Sequence, residues 1–406
     1  MWQDHPDSDQ TLVLMAQAYM QNSAGDLAER SLREALKINP LNERAALGYA
    51  RMHLARQDYA GAQKVLETLS QGGVDSREAD ALRLQILLSQ KDWRGATSLA
   101  GDMADKRNNP GFDAYVLALT LQAQGHYRES IEQFSRALEK NPELQGAALG
   151  ILRCHAALGE SEAGLDWLRA YVAAAPESPE RQLMLANELA RIGQVDEART
   201  IYEVVIAAHA QNLDAWKLLG GLAVRQNEFS AAVRIFERGL EAIPQSQDLK
   251  LLLADTVERA GDPLRAEKLY REVLEQMPTL DLAANNLAAL LAGDGSDQER
   301  LAEARTIAMR FEKSEQPFFS DTLGWIYYLA GEQENAERLL TKAVAGAPDQ
   351  ALFQYHLAAV LEKLGRVVEA REHLRRAFSL AGEHGQFDGY DEAMVLLARV
   401  SRDEAP

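Results

Sequence analysis

The reactive side chains of this 406-residue sequence are few and scattered. Cys154 is the only cysteine, so an intramolecular disulfide and a cysteine-based zinc site are both excluded. Its neighbour His155 suggests a nucleophile–base dyad. Adjacent residues on a helix point about 100° apart, however, so the pair does not meet. None of the eight histidines forms a close ligand pair on one helix face. A phosphate loop, a GxGxxG fingerprint, an HExxH helix and a GxSxG elbow are all absent. The many carboxylates follow solvent faces, as Glu29 and Glu34 do beside Arg30 and Arg33. Catalysis is not expected, and neither a cofactor nor a metal is implied.

The charge balance narrows the partners. Lys plus Arg number 43 against 61 Asp plus Glu, a formal charge of −18. Such a surface repels phosphate backbones and anionic lipid, so nucleic acid is not expected as a partner. No apolar run approaches the roughly 20 residues that span a bilayer, so no transmembrane segment is expected in this chain. The first basic residue is Arg30, so the start lacks the charged region of a signal peptide.

The elements that would position any site come from a repeat. Pro142 and Pro176 lie 34 residues apart, as do Pro244 and Pro278, and Pro40 precedes Pro142 by three such periods. Units then begin at 9, 43, 77, 111, 145, 179, 213, 247 and 281. The ninth is stretched around Gly293–Ser296, and two more begin at 317 and 351. The eighth position is small in nearly every unit (Ala16, Ala50, Ala118, Ala186, Gly220, Ala254), with Leu84 and Leu152 as exceptions. The twentieth is small throughout, from Ala28 and Ala62 to Ala336 and Ala370. Larger apolar residues at i, i+3, i+4 and i+7, such as Leu12, Met15, Ala16 and Tyr19, give one face of an amphipathic helix. Gly125, Gly159, Gly193, Gly261, Gly331 and Gly365 mark the turn inside each hairpin, and the prolines end the second helix. Asp80 and Arg83 break the apolar pattern of the third unit, where Asn108 replaces the proline.

This in-phase pattern resembles the tetratricopeptide repeat family over nearly the whole chain. The resemblance implies an all-α, right-handed superhelical solenoid of eleven hairpins. Residues 1–8 are an N-terminal extension, 9–384 the solenoid, and 385–406 a capping helix and tail carrying Ala393, Val395, Leu396, Leu397 and Val400. The wording Asn285-Asn286-Leu287-Ala288, Asp321-Thr322-Leu323-Gly324-Trp325 and Tyr355-His356-Leu357-Ala358 is similar to bacterial repeat proteins of exopolysaccharide production and protein sorting. In that group the repeats form a periplasmic scaffold or lipoprotein. The periplasm, with an export segment outside this sequence, is thereby implied, and the cytoplasm is the alternative. No cysteine near the start could carry a lipid.

By the same resemblance, positions 2, 5, 9, 12 and 13 of each unit face a concave groove. The central units place Arg153, Asn187, Arg191, Lys217, Arg225 and Arg259 there, a basic set suited to an acidic peptide or an anionic polymer. A carboxylate clamp needs Lys at position 5 and Asn at position 9 of one unit. Lys217 is paired with Gly221 and Asn187 with Leu183, so that clamp is not expected. The C-terminal units place Phe318, Trp325, Tyr328 and Tyr355 in the groove, with one indole face of Trp325 expected to be open and free of structural duty. The expected function is a non-catalytic scaffold that holds protein partners in the groove, in envelope export or exopolysaccharide assembly. The alternative is direct binding of a polysaccharide or other polymer.

Overall fold

The computed structural model describes residues 8–21, 25–107, 110–384 and 387–402. Among them the chain is all α-helical apart from one short 3-10 turn, Met309–Phe311, and contains no strand. First helices begin at Asp9, Glu43, Arg77, Phe112, Gln145, Pro179, Leu213, Gln247, Asp281, Pro317 and Ala351, and each is followed by a second helix. A last helix spans Tyr390–Arg402. Residues 1–7 of the expected N-terminal extension, Asn108, and the tail beyond Arg402 lie outside the described residues. The chain divides into two compact units, Met1–Arg181 and Gln182–Pro406.

Hairpin closure depends on side-chain size. Ala16, Ala50, Ala118, Ala186, Ala254, Ala288 and Ala358 at the first crossing position are fully buried. So are Ala28, Ala62, Ala96, Ala198, Ala232, Ala266, Ala336 and Ala370 at the second. Ser130 stands at the second position of its hairpin and donates its hydroxyl to the Ala118 carbonyl at 2.7 Å, which satisfies a group that burial would otherwise leave unpaired. At Gly220 there is no space even for a methyl group, because a Cβ would sit 2.3 Å from the Phe236 ring. Cys154 is buried and receives a hydrogen bond from Gln122 at 3.3 Å, while His155 turns to Glu160 at 3.5 Å, so the two do not form a dyad.

The turn between paired helices needs one residue at positive φ. Gly125 and Gly261 supply it at 82° and 90°. Gln57, Lys91 and Asn227 hold the same place at 59°, 60° and 59°, where a Cβ is strained. In the first unit, Asp80 and Arg83 are accommodated by each other, at 3.4 Å, and by the Leu66 carbonyl, to which Arg83 donates at 2.5 Å. In the second unit the stretched hairpin turns at Gly293 and Gly295, and Asp297 caps the following helix, Gln298–Ala308. On the last helix Ala393, Leu396 and Val400 are buried, whereas Val395, expected to share that face, is 68% exposed.

Two substitutions test this reading. Ala232→Leu should lower stability by about 1–3 kcal/mol, because the added carbons force the hairpin apart. Lys91→Gly should raise it by about 1 kcal/mol by removing left-handed strain. Urea midpoints of both variants give the signs, and the same sign for both would contradict the packing described.

Candidate functional site

The basic residues of the central hairpins are largely engaged within the protein. Arg191 holds Glu188 through two nitrogens at 2.6 and 2.9 Å, and Lys217 lies 3.3 Å from Asp248. Asn187 accepts the Tyr202 hydroxyl at 2.6 Å. Burial pushes that phenol up to about 12, against the pull of Arg225. Arg259 lies over the Phe229 ring, 4.9 Å from its centroid. Arg225 and Arg153 are exposed, and Arg153 belongs to the first compact unit while the others belong to the second. The carboxylates beside them matter as much. Burial raises Asp255 and Glu258 above their usual range, and Glu258 accepts the Tyr270 hydroxyl at 2.9 Å.

The C-terminal aromatics form a site. The helix Pro317–Leu329 carries Asp321, Trp325 and Tyr328 at i, i+4 and i+7, one above another on a single face. The helix Ala351–Lys363 sets Tyr355 and His356 against them. The Trp325 indole stacks on His356 with centroids 4.0 Å apart and on Tyr328 at 4.6 Å, and it meets Tyr355 at 5.8 Å. Trp325 is therefore part of the packing between hairpins, contrary to the expectation that it serves only a partner. Tyr355 is buried too, and burial, with Glu392 and Tyr328 adding to it, pushes its phenol up to about 12. Phe318 stands apart from this group. It is 55% exposed and meets Phe353 edge-on at 5.1 Å.

Beneath the stack lies a pair that the reading of the sequence missed. His356 Nδ1 is 3.0 Å from both carboxylate oxygens of Asp321, and the two residues are only 8% and 4% exposed. A carboxylate accepts, so Nδ1–H of His356 donates to Asp321, and the pair ties the two hairpins together. The signal was present: Asp and His stand at positions 5 and 6 of consecutive units. The pair, the stack and the acidic residues Asp294, Asp388 and Glu392 line a cleft of about 610 Å³ within the second compact unit. Ala289, Ala292, Ile326, Leu329 and Leu352 supply its apolar part. No helix among the described residues is long and apolar enough to cross a membrane. Among the described residues no group of three His, Cys, Asp or Glu side chains could hold a metal ion.

Trp325→Ala should cost about 2–3 kcal/mol, less than the ~3–5 of a wholly buried indole, because one flank of the ring reaches the cleft. A melting temperature equal to the parent's would return Trp325 to a purely binding role. The raised tyrosines give a second test. A phenol that ionises near 10 unfolded and near 12 folded stabilises the fold fully below pH 10 and loses that contribution as pH rises through 12. Melting temperature should fall across that window, and Tyr355→Phe should make the fall shallower. An identical pH profile for the variant would show that Tyr355 ionises as freely as in the unfolded chain.

Two sequence models, both described as tetratricopeptide repeat, match this chain. One matches residues 115–179 and 322–383, the other 23–86 and 189–256, together more than half of the sequence. A TPR repeat-containing protein of Pseudomonas aeruginosa is 28% identical over 171 residues, 41% of this chain and 28% of its own length. The cellulose synthase operon protein C of Pseudomonas fluorescens is 24% identical over 348 residues, 79% of this chain and 27% of its own length. The chain thus spans little more than a quarter of either relative. Among solved structures, a tetratricopeptide repeat protein from Parabacteroides merdae aligns with 62% of this chain and 98% of its own, at 15% identity and a TM-score of 0.43. On the repeat itself, matched in both halves of the sequence, the chain belongs to the tetratricopeptide repeat family.

Proposed function

We propose that this protein-interaction scaffold holds a partner protein on the face formed by its first helices, without catalysis, and that it serves bacterial envelope export or exopolysaccharide assembly. The carrying observation is the cleft of the second unit, where Trp325, Tyr328 and Tyr355 come together beside acidic groups on a helical-hairpin framework. Aromatic side chains in a partly formed recess are the usual anchors of protein interfaces. The place in envelope or polysaccharide assembly is supported by the likeness to the cellulose synthase operon protein over 79% of this chain.

The central face supports a lesser role. Arg191 and Lys217 already hold Glu188 and Asp248, so an acidic ligand would have to displace those carboxylates. Arg153 and Arg225 remain as exposed cations that such a ligand could reach. A sugar platform on Trp325 is disfavoured as well, because His356 and Tyr328 already lie against the indole.

Tyr328→Ala together with Leu352→Ser should leave the helical circular dichroism in place. In crosslinked purification from envelope fractions of the native host, the double variant should recover about tenfold less of the proteins that the parent enriches. Equal recovery by parent and variant would remove the cleft from the interface. Recovery of polysaccharide with no enriched protein would overturn the scaffold reading itself.

A further inference from the structure

The cleft has a definite hydrogen-bonding character. Its ionisable lining consists of Asp294, Asp321, Asp388 and Glu392, the phenols of Tyr328 and Tyr355, and His356. Asp321 accepts from His356 Nδ1 at 3.0 Å, and the two residues are 4% and 8% exposed. His356 lines the cleft beside these carboxylates. Arg399, which lines the adjoining recess with Tyr328, Tyr355 and Glu392, is turned to Glu362 at 2.9 Å. Glu258 feels the negative charge of Asp388, so the acidic field reaches beyond the cleft itself. Exposed Asp388 and Glu392 make no ion pair among the described residues.

From this we infer that the cleft receives a Lys or Arg side chain from a basic segment of the partner protein. The inference rests on the scaffold reading above and names the chemistry of its occupant. Two features support it. Acceptors line the site: the carboxylates of Asp294, Asp388 and Glu392. A guanidinium or ammonium is a donor only, and it also neutralises the carboxylates. The apolar wall of Ala292, Ile326, Leu329 and Leu352 matches the aliphatic stem of such a side chain, which buries its methylenes while its head stays polar. An acidic peptide would meet four carboxylates instead.

The test uses the full chain and a rhodamine-labelled 12-residue peptide of alternating Arg and Ser, acetylated and amidated, with a counterpart carrying Glu for Arg. Anisotropy titrations should show saturable binding of the Arg peptide, weaker as salt rises, and none of the Glu peptide. Asp388→Lys with Glu392→Lys changes two exposed side chains and should weaken the Arg peptide at least about tenfold. Glu139→Lys with Glu162→Lys makes the same change in net charge on exposed positions of the first unit and should leave affinity within about twofold. Equal losses in the two double variants would mean diffuse attraction to an acidic protein and would overturn the inference. So would tighter binding of the Glu peptide, or saturable binding of cellohexaose that Asp388→Lys with Glu392→Lys abolishes. The scaffold reading is separable: a partner captured equally by the parent and by the Asp388→Lys, Glu392→Lys variant sinks the basic-segment inference alone, whereas a parent that enriches no protein sinks both.

Discussion

The close crossing of the two helices in each hairpin is the constraint on which the other features depend. Two backbones approach only where neither carries a side chain beyond Cβ, and the fully buried alanines of both crossing positions meet that condition. Where the first helix has glycine, the second answers with bulk: Gly220 lies against Phe236 and Gly324 against Leu340. Larger apolar residues can then form a layer between neighbouring hairpins, as Ala46, Leu66, Leu69 and Ile86 do in the first unit. Helix ends are cheap to finish in this arrangement, because a positive-φ residue such as Gly125 or Gly261 reverses the chain inside the hairpin.

Much of that was legible in the sequence, because small residues, turn glycines and prolines act locally and recur at one period. Contacts between hairpins were harder to read. The Asp321–His356 pair joins residues 35 apart, and nothing in either helix taken alone distinguishes that aspartate from a solvated one. Arg181 is a similar case. It lies over Tyr171 at 4.2 Å and donates to the Tyr171 and Pro142 carbonyls at 3.1 and 3.0 Å, yet in sequence it resembles any surface arginine at the start of a helix. The stacking of Trp325 was hidden for the same reason: its ring partner, His356, comes from the next hairpin, whereas the period describes only what each hairpin does by itself.

Charge follows the repeat as well. Arg51 reaches Glu78, Arg128 reaches Glu160, and Arg199 reaches Glu228, each across about one period. Around Arg271 the pairs join into a network, with Glu267 on the same helix, Glu303 on the next hairpin, and Arg300 returning to Glu267 at 2.8 Å. Exposed pairs of this kind contribute little singly, about 0–1 kcal/mol, so their effect is more on alignment of neighbouring hairpins than on stability. They also use up much of the cationic surface. What remains unneutralised on a chain of net charge −18 is acidic, and that is the potential a partner meets.

The cleft arises where the repeat rule is broken. At the ninth unit the extra residues around Gly293 and Asp294 lengthen the turn, and both residues line the cleft. On the opposite side the chain leaves the last regular hairpin and enters its final helix through Gly389, at φ 79°, where a Cβ would stand 2.7 Å from the Tyr355 ring. That glycine lets the backbone carrying Asp388 and Glu392 come down against the aromatics. An insertion and the turn into the helix Tyr390–Arg402 thus supply the acidic rim, while two ordinary first helices supply the stack and the buried pair. Their side chains are fixed by the hairpin packing, so the cleft is organised before any partner arrives, and little ordering entropy is left for binding to overcome.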